Sequence, residues 1–127
     1  MIIKQGGIAA EMECIRSSDD ELNIHDVDQS LQKTIRNIRN YVDKNSQPGS
    51  IEIRAIDYLP PWSIMAFNPL SEDGVMYVSL LTFKTDAEKR PSFVLHASED
   101  GVWMKNFTDQ FNAAWEVAEK INVSKLN

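Results

Sequence analysis

The sequence predicts an α+β fold, an antiparallel sheet of about four strands flanked by amphipathic helices. Three observations carry this. Residues 26–44 repeat apolar side chains at helical spacing, residues 51–96 break into short extended runs separated by turn residues, and residues 98–121 carry an aromatic row at helical spacing. The connections between the extended runs are too short for crossover helices, so the runs are expected to pair as antiparallel neighbours. A chain of 127 residues is expected to form a single domain, 1–127. Within it, 26–121 hold the regular pattern and 1–25 form a separate N-terminal segment.

Residues 1–7, MIIKQGG, read either as an added strand or as the beginning of a piece cut from a longer chain. Ile8, Met12 and Ile15 recur at spacings of four and three, which predicts a short helix over 8–16. Ser17–Asn23 is polar and acidic and reads as a solvated loop. Asp19, Asp20 and Glu21 lack the ligand spacing and fixed glycine of a calcium loop. From Asp26 to Lys44, Val27, Leu31, Ile35, Ile38 and Val42 form one continuous stripe. Asp26 and Asp28 lie near the positive end of that helix and Lys44 near the negative end. Gln47-Pro48-Gly49-Ser50 closes it with a turn.

Ile51–Ala55 alternates apolar and polar residues, the pattern of a half-buried strand. Pro60 and Pro61 have no amide hydrogen to give a ladder, so the chain bends there and resumes as a strand over Ser63–Phe67. Asn68–Gly74 reads as a hairpin loop, its Asp73-Gly74 pair favouring a tight turn. Val75–Phe83 is apolar with little alternation, which predicts a central strand covered on both faces. Lys84–Arg90 is a charged loop, and Pro91 restarts the chain into Ser92–His96. Ser98 is expected to cap the last helix, with Glu99 and Asp100 in its first turn. Trp103, Phe107, Phe111, Ala114, Trp115, Ala118 and Ile121 then form a row expected to cover one face of the sheet. Burying it would contribute about 2 kcal/mol per large side chain.

Composition narrows the function. The net charge is −6 and the pI near 4.8. Phosphate-backbone binding rests on clustered Lys and Arg, so nucleic-acid binding by this chain alone is not expected. Lys33, Arg36 and Arg39 come closest to a cluster and read as a solvated helix face. No run approaches the ~18 apolar residues of a membrane span, and no basic leader precedes an apolar core. Cys14, the single cysteine, reads as packing and fits a reducing cytoplasm. No CxxC, HExxH, glycine-rich phosphate loop or serine elbow occurs, and no metal or cofactor is expected. His25 reads as a solvated or capping residue. His96, Ser98 and Asp100 supply the parts of a triad, but on one short connection, where capping is the expected role.

From Asp26 onward the order of features resembles the C-terminal half of phospholipase-D-like domains, in the divergent bacterial branch often fused to helix-turn-helix or other regulatory modules. The residues that carry the resemblance are the amphipathic helix, IEIRAIDYLPPWSIMAFNP, GVMYVSLLTF, RPSFVL and the FTDQFNAAW helix with its Phe111-x-x-x-Trp115 spacing. Active members of that family carry His-x-Lys with an Asp after it. Aligning Asn68 with that Asp puts Pro61 at the histidine and Ser63 at the lysine, which closes the phosphohistidine route.

The resemblance thus implies a degenerate half-domain: a non-enzymatic sensing or protein-interaction module, cytoplasmic and regulatory. It would act as a homodimer or with a regulatory partner protein, since a complete domain of that fold pairs two halves. A ligand pocket would lie near Trp62, Ser63 and Asn68, with Lys84 or Arg90 supplied from a loop. Trp62 would either stack on a ligand or anchor the proline bend. Two other readings stay open: a binding protein for a nucleotide or phosphorylated signal, and a hydrolase using His96, Asp100 and Asn68.

Overall fold

The computed structural model describes residues 2–4, 7–45 and 50–121. Gly6 and the predicted turn residues Gln47, Pro48 and Gly49 lie outside the described residues. The elements are β1 (Ile2–Lys4), α1 (Gly7–Arg16), α2 (Ile24–Lys44), β2 (Ile53–Ile56), β3 (Trp62–Phe67), β4 (Val75–Leu80), β5 (Ser92–His96), α3 (Gly101–Val117) and β6 (Glu119–Ile121), with a 3-10 turn at Ala87–Lys89. The fold class is α+β, as the periodicities predict. The chain gathers into two compact units, Met1–Ile15 with Asp19–Leu59 and Val117–Asn127, and Arg16–Ser18 with Pro60–Glu116.

The first unit holds a sheet in the order β1-β2-β6, with β1 parallel and β6 antiparallel to the central β2. Here the structure departs from the expected four-stranded meander. Ile51–Ala55 was expected beside Ser63–Phe67, but its strand begins at Ile53 and pairs with the two ends of the chain instead. The Pro60-Pro61 bend is the physical break, because it interrupts the ladder that would otherwise carry one strand into the next. The last helix also stops at Val117, and residues expected to continue it form β6. Paired on both edges, β2 buries Ile53, Ala55 and Ile56.

In α2, Asn23 and Asp26 form a reciprocal capping box: the Asp26 amide donates to Asn23 Oδ1 at 3.0 Å and the Asn23 amide to Asp26 Oδ2 at 3.3 Å. The predicted stripe is deepest at Ile35, which is buried, and fades to the exposed Val42.

One polar contact in this unit has a pH signature. Arg54 Nε donates to Glu52 Oε1 at 2.9 Å, and Lys120 Nζ lies 4.0 Å from the same oxygen. Arg54 and Lys120 face each other across β2 and β6, so Glu52 offsets their repulsion. The Arg54 hydrogen bond, with the nearby Lys120 charge, holds the Glu52 carboxyl below its ordinary value of 4.5. A depressed carboxylate pKa stabilises the fold above the unfolded value, and the contribution is lost as pH falls through the folded one. Glu52→Gln is therefore expected to lower the melting temperature at neutral pH. In melts taken at pH values falling below 4.5 the gap to the parent chain should narrow progressively, closing once the folded carboxyl is protonated as well.

The second unit holds the antiparallel sheet β3-β4-β5. Met76, Val78 and Leu95 on one face pack with Met104 of α3, and Trp62, Ile64, Phe93, Ala97 and Phe107 pack around them. Arg16–Ser18 belong to this unit: the Lys84 amide donates to the Arg16 carbonyl at 2.7 Å and Ser18 Oγ to Asp86 Oδ1 at 2.6 Å.

Two expectations about α3 change. Ser98 does not cap it. Residues 97–99 form a turn, and the Asp100 carbonyl accepts the first helical bond, from Met104 at 2.9 Å. The buried positions are Met104 and Ala114, while Trp103, expected in the core, is 59% exposed and stacks on Phe107. The rest of the expected row faces inward: Phe107 packs on the core and Phe111 and Trp115 are half-buried, so only Trp103 is misplaced, with Met104 taking its position.

Candidate functional site

The face of the β3-β4-β5 sheet opposite α3 is the feature that most needs explaining. Strand alternation sends Ser63, Met65 and Phe67 to it from β3, Val75, Tyr77 and Ser79 from β4, and Ser92, Val94 and His96 from β5. The registers align these as three rows: Phe67, Val75 and His96; Met65, Tyr77 and Val94; Ser63, Ser79 and Ser92. Phe67 and Tyr77 meet edge to face with ring centroids 6.3 Å apart. In the serine row, Ser79 Oγ and Ser92 Oγ share a hydrogen bond at 2.8 Å.

Among the described residues this face is exposed. Met65 is 61%, Phe67 54%, Tyr77 49% and Val94 44% exposed. The expectation that Val75–Phe83 is covered on both sides is thus corrected: β4 is central, but only its Met76 and Val78 face is packed. With strands about 4.8 Å apart and about 3.4 Å per residue, the face measures roughly 14 by 20 Å. Its apolar part, Met65, Phe67, Val75, Tyr77 and Val94, is contiguous, and an exposed apolar patch of this kind is a candidate interaction site.

The structure divides the residues expected to form a pocket. Trp62 begins β3 and Asn68 follows its last residue, so they sit about 20 Å apart at opposite ends of the strand. Ser63 lies in the serine row. Lys84 and Arg90 lie in the β4–β5 connection, at the Trp62 end, where the Leu81 amide donates to the Pro61 carbonyl and the Leu80 amide to the Pro91 carbonyl. Trp62, Ser63, Lys84 and Arg90 therefore share an end of the sheet, and Asn68 is apart from them. Trp62 packs against the Met76–Val78 core, the anchoring role of its two alternatives. Lys84 Nζ stands 5.8 Å from the centre of the Phe83 ring.

Asn68 has a conformational role of its own. Its φ is 47°, and its carbonyl accepts from the Ser71 amide at 3.0 Å. Asparagine tolerates this left-handed geometry better than most residues, which accounts for it at the start of the loop.

His96 and Asp100 come together through the backbone. The His96 amide donates to Asp100 Oδ2 at 3.0 Å, and the Asp100 amide returns to the His96 carbonyl at 2.8 Å. The carboxylate thereby closes the turn into α3, while the exposed imidazole belongs to the sheet face. His25 is exposed in the first turn of α2, and Cys14 is a half-buried free thiol in α1. Among the described residues no group of three or more His, Cys, Asp or Glu is placed to hold a metal ion. No helix among them is long and apolar enough to cross a membrane.

Sequence reasoning missed the open face, although its signal was present. The failure of Val75–Phe83 to alternate showed apolar residues on both sides of a strand, and the error lay in assuming a second cover. Compared with known protein families, with curated proteins and with solved structures, the chain has no match.

Proposed function

We propose that this chain is a non-enzymatic protein-interaction module that binds through the open face of the β3-β4-β5 sheet. The observation that carries the reading is the exposure of Met65, Phe67, Tyr77 and Val94 as one surface on a sheet already packed on its other side. An antiparallel sheet packed on one face can leave the other to water when that face is polar, but here it carries large apolar side chains, which a partner covers. The resemblance to a degenerate phospholipase-D-like half-domain agrees with this, since Pro61 and Ser63 stand where that family has its histidine and lysine. A regulatory, cytoplasmic role follows from the same resemblance.

Tyr77→Asp tests the proposal. The side chain is half exposed, so the change is expected to move the melting temperature little. Formaldehyde treatment of expressing cells should trap the tagged parent chain in discrete complexes, and Tyr77→Asp should deplete them severalfold. Complexes that persist unchanged in the variant would count against the face. Hydrolysis of bis-p-nitrophenyl phosphate by the pure chain, lost in Asn68→Ala, would replace the proposal with a catalytic one.

A further inference from the structure

We infer that the partner covering the open face is a second copy of this chain, stacked on it with the strands reversed. The inference rests on the interaction reading above and adds the identity and orientation of the partner.

Charge at the two ends of the sheet carries the argument. The end that bears Phe67, Val75 and His96 is bounded by the β3–β4 loop and the turn before α3, which adjoin through the Ala97 amide donating to the Gly74 carbonyl at 3.0 Å. These segments, residues 68–74 and 97–100, carry Glu72, Asp73, Glu99 and Asp100 and no lysine or arginine. The opposite end, beside the serine row, is bounded by residues 81–91 with Lys84, Lys89 and Arg90 against Asp86 and Glu88. Asp86 and Lys89, 3.9 Å apart, offset one another, which leaves Lys84 and Arg90 against Glu88. The sheet is thus acidic at one end and mildly basic at the other. Its face between them carries no Asp, Glu, Lys or Arg.

A surface with that polarity complements itself in one orientation. In a two-fold stack whose axis runs across the strands, the acidic end of each copy lies over the basic end of the other. An axis along the strands would set four carboxylates over four, a like-charge contact that opposes association. Closed two-fold symmetry also requires the patch to match itself. The reversed stack does so, with Met65, Tyr77 and Val94 nearest the axis and the Phe67 row over the serine row of the partner. Sheets stacked face to face lie about 10 Å apart, within reach of these side chains.

Area sets the strength. The face covers roughly 300 Å², well below the ~800 Å² per partner of a standard interface, so the association is weak and concentration-dependent. A weak dimer joined by end charges should also weaken with salt.

Two matched charge-reversal variants test the orientation by sedimentation velocity over a concentration series. The first carries Glu72→Lys with Asp73→Lys, the second Lys84→Glu with Lys89→Glu. Each alone should raise the dissociation constant at least about tenfold, and an equimolar mixture should restore association through the mixed pair. Equal association of the first variant and the parent chain would overturn the reversed orientation.

A benzoylphenylalanine at position 77, activated in cells, separates this inference from the reading beneath it, with Asn112 on α3 as the control site. An adduct of two chain masses, mapped to β3, β4 or β5 of the second copy, supports the stack. A discrete adduct to another protein overturns self-pairing and leaves the interaction module standing. Position 77 behaving like position 112 overturns both.

Discussion

Met104→Ala should destabilise the chain by about 2–5 kcal/mol, whereas Trp103→Ala, one residue away and removing a larger side chain, should cost about 1 kcal/mol or less. The difference follows from which way α3 faces. Met104 is 4% exposed and packs with Met76, Val78 and Leu95, so its removal leaves a void that a close-packed core closes only in part. Trp103 loses little burial and one stacked contact, with ring centroids 6.4 Å from Phe107. Consecutive helical residues point about 100° apart, so the pair measures the rotation of α3 directly. Urea unfolding followed by circular dichroism gives both numbers. Equal losses, or a larger loss for Trp103, would mean that α3 turns Trp103 rather than Met104 toward the sheet.

The same comparison shows what was legible beforehand. Periodicity located α2 and α3, alternation located β2, and the flanking proline and loop residues located β5, because those signals depend on neighbours within a few residues. It could not tell that Met104 rather than Trp103 leads the inward face of α3, since both positions keep spacings of three or four to the residues that follow. Nor could it see that Glu119–Ile121 leaves the helix, because Ala118 and Ile121 keep a helical interval although Ile121 lies in the edge strand of a sheet whose other strands are far away in sequence. Sheet membership is a long-range property. Nothing local to Ile51–Ala55 says that its neighbours are residues 2–4 and 119–121. The candidate site failed to converge for the same reason: Trp62 and Asn68 are close in sequence, but an extended strand carries them to opposite ends of the sheet. What the residues did disclose is the apolar surplus of β4. The fold turns that surplus into an open face rather than a second core.

Gly74→Ala is expected to cost about 1–3 kcal/mol and to displace the β3–β4 loop, a large effect for one methyl group. An added Cβ would stand 2.5 Å from the Asn68 carbonyl oxygen, 3.1 Å from that of Ser71 and 3.2 Å from Pro69 Cα. All three are backbone atoms, so no rotamer change relieves the contact. The same atoms hold the loop together. The Asn68 carbonyl accepts from Ser71, the Ser71 carbonyl accepts from Gly74, and the Gly74 carbonyl accepts from Ala97, each at 3.0 Å. Moving one loosens the others. The Asp73-Gly74 pair suggested a tight hairpin turn, yet the left-handed residue of this loop is Asn68, and glycine at 74 answers a demand for close approach. Gly101 is the matched control: nothing lies within 4 Å of a Cβ built there, and it opens α3, so Gly101→Ala should be neutral or stabilising by up to about 1 kcal/mol. Hydrogen exchange would localise the Gly74→Ala effect. Faster exchange is expected in β3, β4 and the start of α3, with unchanged rates in β2 and α2. Phe67 pairs with Val75, and Val75 with His96, so the row at the acidic end of the open face should be disturbed as well. Gly74→Ala would then weaken association at this face while leaving Tyr77 in place, and Gly101→Ala would not.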